Sequence, residues 1–256
     1  MRLIAFDLDG TLLDHDKTIP ARSLDVIERL RDHDVRFAII TGRALVPDDV
    51  MEGVRPEATA TSNGGVVRVG DRIVAEHGLS VPQIRAVDAL VPQDAELWAF
   101  GPDVVYTRDP GRVTADWLRE RNLRPLAEAA GGGVYQVSFR FPDARRLAPD
   151  ILAVGGLTVT GGLAPYESFM TVTHERATKG HALHDIAREL GVPMHRTVVF
   201  GDSDNDVAMF EVAGTSVQVG DAACLVDVAH HQVSCSALGL PGWLEDYVEE
   251  LARELA

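Results

Sequence analysis

The chain has 256 residues, 46% hydrophobic and 25% charged, and 24 Lys and Arg stand against 39 Asp and Glu for a formal net charge of −15. That length builds one large domain or two small ones, and the acidic balance argues against nucleic acid or an anionic membrane as a general partner, though not against a small anion held by a local cation. No apolar stretch reaches the roughly 18 residues of a membrane span, the opening apolar run lacks a basic region before it, and Cys224 and Cys235 match no zinc spacing and are expected as free thiols, so a cytoplasmic protein is expected.

The opening "MRLIAFDLDGTLLD" predicts a short buried strand over Leu3 to Phe6, followed at once by Asp7, Leu8, Asp9 and the turn signal Gly10-Thr11. Alternation along an extended chain points Asp7 and Asp9 the same way, with Leu8 opposed. Like charges at that spacing repel, so a hydrogen-bond network, a proton or a metal ion must offset them. Next, "ARSLDVIERLRDHDV" sets Leu24, Ile27 and Leu30 on one helical face, with Ser23 as the expected cap. "RFAIITGRA" reads as a strand ending on Thr41-Gly42 and turning into a helix, and "ATATSNGGVV" as a strand punctuated by Asn63-Gly64-Gly65. Strand and helix thus alternate over the first 80 residues, the pattern of a parallel sheet with helices on its faces.

The pattern changes near Val81. From there to about Thr173 the expected order is helix 81–91, two strands over 95–107, helix 114–123, strand 134–140, helix 143–152 and two strands over 157–173. From Thr178 the alternation resumes with helix 180–190, strand "TVVF", turn "GDSDND", a helix, strand "SVQV" and a helical tail. The expected fold is α/β: a doubly wound parallel-sheet core over 1–80 and 174–256, interrupted by a smaller α+β insert over 81–173.

Ligands of open parallel sheets sit beyond the carboxyl ends of the strands. That rule gathers Asp7 and Asp9, then Thr41 and Gly42, then the acidic run from Asp202 to Asp206, with Lys179 at the start of the preceding helix. Carboxylates clustered with one lysine and one threonine make a site for Mg²⁺ and a phosphate, since Mg²⁺ takes hard oxygen ligands and bridges to substrate phosphate. Each motif alone has a plainer reading: a turn, a solvated helix start, an acidic helix cap. Their joint occurrence in this order at strand ends is what points to a site. His181 and His184 lack partner ligands for a metal, His230-His231 reads as surface, and no phosphate-binding glycine loop of the nucleotide-binding kinds occurs.

"FDLDGTLL", "IITGR", "TKGHAL" and "FGDSDNDVAMF" resemble, in order, the four motifs of the haloacid dehalogenase superfamily, most closely its Cof-type sugar-phosphatase-like branch with a type II cap inserted after the second motif. The resemblance implies a Mg²⁺-dependent phosphatase of a small phosphorylated metabolite, acting through a phosphorylated aspartate. It makes Asp7 the nucleophile and Asp9 the general acid and then base, with the Asp9 main-chain carbonyl on the metal. Asp202 would be a Mg²⁺ ligand, and Asp206 would orient the metal site or Lys179. Thr41, Gly42, Lys179 and Asn205 would surround the phosphate, and Arg43 and Asn63 would reach the substrate. The cap would set specificity, and a monomer or small homo-oligomer is expected. A phosphomutase, a phospho-acceptor signalling domain and a ligand-sensing relative are the alternatives; the inserted cap and the Asp7-x-Asp9 pairing disfavour the second.

Overall fold

Leu3, Ile4, Ala5 and Phe6 are all buried, which makes the opening run β1 (Arg2–Phe6) a central strand rather than an edge. The structure, a computed structural model, describes residues 1–113, 115–118, 121–129, 133–163, 167–236 and 238–254. It divides into two units, Met1–Ala75 with Lys179–Ala256, and Glu76–Thr178.

In chain order the first unit begins with β1, α1 (Ala21–Arg31), β2 (Val35–Ile40), α2 (Asp48–Val54), β3 (Ala58–Thr61), β4 (Val66–Val69) and β5 (Arg72–Glu76). The inserted unit contains α3 (Val81–Leu90), β6 (Glu96–Phe100), β7 (Val105–Thr107), β8 (Leu123–Pro125), β9 (Gln136–Arg140), α4 (Ala148–Ala153), β10 (Leu157–Gly161) and β11 (Phe169–His174). The first unit then resumes with α5 (Lys179–Leu190), β12 (Thr197–Gly201), α6 (Val207–Phe210), β13 (Thr215–Val219), β14 (His231–Val233) and α7 (Gly239–Glu254).

The core sheet runs β14-β13-β12-β1-β2-β3-β4-β5. It is parallel from β14 to β3, and β4 returns antiparallel to β3 after the Asn63-Gly64-Gly65 turn. Its central strands β1, β2 and β12 are covered on both faces. Ile4, Phe6, Phe37, Ile39, Val198 and Phe200 face α1, α2 and α7, whereas the intervening Leu3, Ala5, Ala38, Ile40 and Val199 face α5 and α6. Two-sided burial explains why these strands read as continuous apolar runs. The fold is the doubly wound α/β arrangement expected.

The inserted unit has a six-stranded sheet ordered β10-β11-β9-β6-β7-β8, antiparallel except for the β7–β8 pair. Leu97, Val137, Phe139, Met170 and Val172 pack on Ile84, Val87 and Ile151 of α3 and α4. On the alternate positions, Ser138 pairs across to Thr171 and Gln136 to Thr173, a row of neutral polar side chains. Ser80 caps α3 in a reciprocal capping box with Gln83.

Two local expectations fail and a third, the helix over 143–152, is met with a 3₁₀ first turn. The helix expected over 114–123 is replaced among the described residues by a 3₁₀ turn at Asp116–Leu118 and the start of β8, while residues 114, 119 and 120 lie outside the described set. The buried residues there, Ala115 and Leu118, are three apart, the repeat of a 3₁₀ turn. In the helix expected over 143–152, a 3₁₀ turn at Ala144–Leu147 precedes α4, whose first turn holds Pro149 without an N–H to donate. Ser23 is not a cap: α1 starts two residues earlier, after Pro20, and the Ser23 hydroxyl is buried without a partner. Cys224 and Cys235 are free and exposed. No helix among the described residues is long and apolar enough to cross a membrane.

Candidate active site

β1 lies between β12 and β2, so the residues after these strands meet at one sheet end. The Asp7 amide continues the ladder by donating to the Phe200 carbonyl at 3.0 Å. The chain then turns sharply: Thr11 and Leu13 amides donate to the Leu8 carbonyl, and Leu12 to that of Asp7. Gly10 makes the turn at φ +82, and a Cβ there would lie 2.4 Å from Asp202 Oδ2, so only glycine lets this loop approach Asp202.

Lys179 opens α5 and is fully buried. Its Nζ donates to Asp7 Oδ1 at 2.6 Å and to Asp206 Oδ1 at 2.6 Å. Asp206 is tied down on its other oxygen by the amides of Asp202 at 2.9 Å and Ser203 at 3.0 Å. Thr11 Oγ1 donates to Asp202 Oδ1 at 3.1 Å. Asp7, Asp202 and Asp206 each bring a carboxylate oxygen within 4.8 Å of the others. Burial and the neighbouring carboxylates push the Asp202 carboxyl well above its usual range, and burial raises Asp7 despite Lys179. Burial opposes the charge on Lys179 as well, but Asp206 and Asp7 outweigh it and hold the ammonium protonated.

A second cluster borders the first. Thr41 ends β2 buried, its Oγ1 accepting the Arg43 amide at 3.1 Å and its carbonyl the Asn63 amide at 2.9 Å. Asn205 Nδ2 donates to Asn63 Oδ1 at 3.1 Å, and Ser203 Oγ to Asn205 Oδ1 at 2.9 Å. Gly42 lies beneath this bridge, where a Cβ would sit 3.2 Å from both amide side chains. Ser62 and Asn63 are both left-handed, at φ 49 and φ 58, a strained pair of the kind that gathers at functional sites.

Asp9 faces other partners. Arg43 forks onto it, Nε to Oδ2 at 2.6 Å and Nη2 to Oδ1 at 2.7 Å, and Lys17 Nζ donates to Oδ1 at 2.8 Å. Partial burial opposes the Asp9 charge, yet the hydrogen bonds from Arg43 and then Lys17 prevail and hold its pKa down at about 2. Its carboxylate is not one of the three that cluster with one another beside Lys179. The structure thus brings Asp7, Lys179, Asp202 and Asp206 together, joins Thr41, Gly42, Asn63 and Asn205 in a neighbouring network, and couples Arg43 to Asp9. Thr11, Lys17 and Ser203 escaped the sequence reading. Thr11 and Ser203 lay inside quoted motifs, and the Asp14-x-x-x-Thr18 spacing that shapes the Lys17 turn was the signal for the third.

The model of the haloacid dehalogenase-like hydrolase family matches residues 4–128 and 163–236. The chain belongs to the haloacid dehalogenase-like hydrolases. Among curated proteins it is 28% identical over 260 residues to the phosphatase YwpJ of Bacillus subtilis, covering 87% of this chain and 90% of that one. It is 32% identical over 222 residues to a phosphoglycolate phosphatase of Halobacterium salinarum, covering 86% and 84%, and 25% identical over 249 residues to the pyridoxal phosphate phosphatase YbhA of Escherichia coli, covering 86% and 88%. Its fold matches the structure of the subclass IIB sugar phosphatase BT4131 with a TM-score of 0.84 at 19% identity, covering 96% of this chain and 99% of that one. The enzyme class is that of phosphoric monoester hydrolases.

Proposed function

We propose that this enzyme is a Mg²⁺-dependent phosphatase that cleaves a small phosphorylated metabolite, a sugar phosphate or similar, through a phosphorylated Asp7. The observation that carries the reading is the clustering of the Asp7, Asp202 and Asp206 carboxylates, with buried Lys179 bonded to Asp7 and Asp206. Three carboxylates and one ammonium leave a net negative, poorly hydrated pocket that resists a phosphate dianion unless a cation joins it. The donor atoms are all carboxylate oxygens, the hard ligands Mg²⁺ prefers. Asp206 already accepts from Lys179 and two amides, so Asp7, Asp202 and the Asp9 main-chain carbonyl would hold the metal, and Asp206 would orient Lys179. When bound, Mg²⁺ would offset the charge between nucleophile and phosphate and spread that of the transferring group.

In this reading Asp7 attacks phosphorus: an Asp7 O–P bond forms as the ester P–O bond breaks. Asp9, which Arg43 and Lys17 hold ionised in the structure, would gain a proton as substrate binds, give it to the departing alkoxide, and then take one from the water that cleaves the acyl phosphate. Lys179, Thr41 and Asn205 hold the phosphoryl oxygens, with Gly42 leaving room for them. Arg43 and Asn63 complete the substrate side, and the unit Glu76–Thr178 would choose the leaving group. The substrates named for relatives, phosphoglycolate and pyridoxal phosphate, are small phosphorylated molecules and support the same class here. The two free thiols support a reducing compartment, the cytoplasm.

A phosphate-release screen over a metabolite panel tests the reading. Activity is expected with Mg²⁺, is expected to vanish with chelator, and should return when Mg²⁺ is restored. Full turnover in excess chelator would overturn it.

A further inference from the structure

The loop after Leu13 is built around Lys17. The Asp14 carboxylate accepts from the amides of Asp16 and Thr18, each at 3.0 Å, and from the Thr18 hydroxyl. The Asp14 amide donates to the Thr18 carbonyl at 3.0 Å and the Lys17 amide to the Asp14 carbonyl at 3.0 Å. This tight turn forces Lys17 to φ 62, a conformation a long side chain adopts at a cost. The strained residue is the one whose ammonium reaches the Asp9 carboxylate, eight positions back.

The geometry at Asp9 is asymmetric. Oδ1 accepts from both Lys17 and Arg43 Nη2, which commits its two lone-pair directions to cations. Oδ2 accepts from Arg43 Nε alone. Without Lys17, Arg43 would leave each oxygen with one bond and the two nearly equivalent.

We propose that Lys17 is a positioning residue for the acid–base step: by occupying Oδ1 it assigns Oδ2 as the oxygen that meets the leaving group and fixes the plane in which that oxygen is presented. The proposal rests on the reading of Asp9 as the acid and base. Lys17 touches neither phosphate nor leaving group in this scheme; it acts through Asp9.

The test compares kcat/KM, which reports the step in which the leaving group departs, for an alkyl phosphate such as a hexose phosphate and for p-nitrophenyl phosphate, whose leaving group needs little protonation. Lys17→Met is expected to lower the alkyl-to-aryl ratio by about 10- to 100-fold, the scale of a misdirected catalytic group, with little change in KM. Lys17→Gly, which suits the positive φ but lacks the ammonium, is expected to lower the ratio similarly, and Lys17→Arg to restore most of it. An unchanged ratio in Lys17→Met, or a wild-type ratio in Lys17→Gly, overturns the proposal. Asp9→Asn, run alongside, separates the two levels. If Asp9→Asn loses kcat/KM equally on alkyl and aryl phosphates, the reading of Asp9 as the acid falls and the proposal with it. A selective loss in Asp9→Asn without one in Lys17→Met removes the proposal alone.

Discussion

The two units bury polar groups of different kinds. Among the described residues, the core unit buries full charges, Asp7, Asp206 and Lys179, at the ends of its parallel strands. The inserted unit buries only neutral ones, Thr107, Gln136, Ser138, Thr171 and Thr173, along one row of its antiparallel sheet. Removing a charge from water costs several kcal/mol even after relaxation, whereas a hydrogen-bonded hydroxyl or amide costs far less. The difference teaches a division: under the proposed function, one unit spends stability on electrostatics for a reaction, while the other buries only hydrogen-bonding groups that cost far less.

The largest effects should come from breaking the charged cluster. Lys179→Met leaves Asp7 and Asp206 buried without their shared cation, and is expected to cost about 3–5 kcal/mol of stability in denaturant melts and to abolish turnover. Asp7→Asn keeps the volume and relieves the repulsion, so it should lose turnover on every ester while melting no lower than wild type. A stable, active Lys179→Met would erase the contrast between the units.

Metal addition is next in size. Mg²⁺ at 100 times its Kd should stabilise the protein by about 2.7 kcal/mol, read as a rise in Tm, and Asp202→Asn should lose most of that rise. Substitutions in the inserted unit should leave it intact. A smaller effect is expected from Ser138→Ala. It removes the acceptor of Gln136 Nε2 and the partner of Thr171 Oγ1, at about 1–3 kcal/mol. Such a change should alter preference among natural substrates more than the rate on p-nitrophenyl phosphate, and an equal loss on both would argue against a role for the row in recognition.

The smallest effect concerns pH. Asp9 is held at about 2 against an ordinary value of 3.8, so the folded state binds the proton less readily than the unfolded chain. Its contribution is therefore complete above about pH 4 and is lost as pH falls toward 2. The Asp9 side chain is 41% exposed, and screening keeps the gain below about 1 kcal/mol. Melting wild type beside Arg43→Met at falling pH should show their difference shrink over that window.

The acidic cluster was legible because most of its residues fall just after buried apolar strands, where the chain must turn; alternation did not carry past β1, and Asp7 and Asp9 face different partners. Asp7, Thr41 and Asp202 lie at such places, whereas Lys179 opens α5. The couplings among them were harder to read. Nothing in "TGR" reveals that Arg43 turns to Asp9, because that pairing depends on β1 and β2 being neighbours with a particular register. The segment 114–123 misled because its composition suits a helix, whereas its described residues hold a 3₁₀ turn at Asp116–Leu118 and then enter β8. Ser23 misled because a favourable cap residue loses to a proline three positions earlier, whose carbonyl already accepts the Ser23 amide.

The position of β12 in the core sheet has a consequence for biosynthesis. β1 needs β12 on one side, yet Leu3 and its register partner Thr197 are separated by nearly the whole chain. At about 5–20 residues per second on the ribosome, roughly 10–40 s pass between their syntheses. Throughout that interval β1 has one unpaired edge, an invitation to pair with another nascent copy. The contiguous segment Glu76–Thr178, with its own sheet and core, is complete before β12 exists. Lys179 follows it directly, so the ammonium that neutralises Asp7 arrives only after the inserted unit has been made. Slow translation between Glu76 and Thr178 should therefore raise aggregation of the nascent chain, with the exposed flank of β1 as its point of origin.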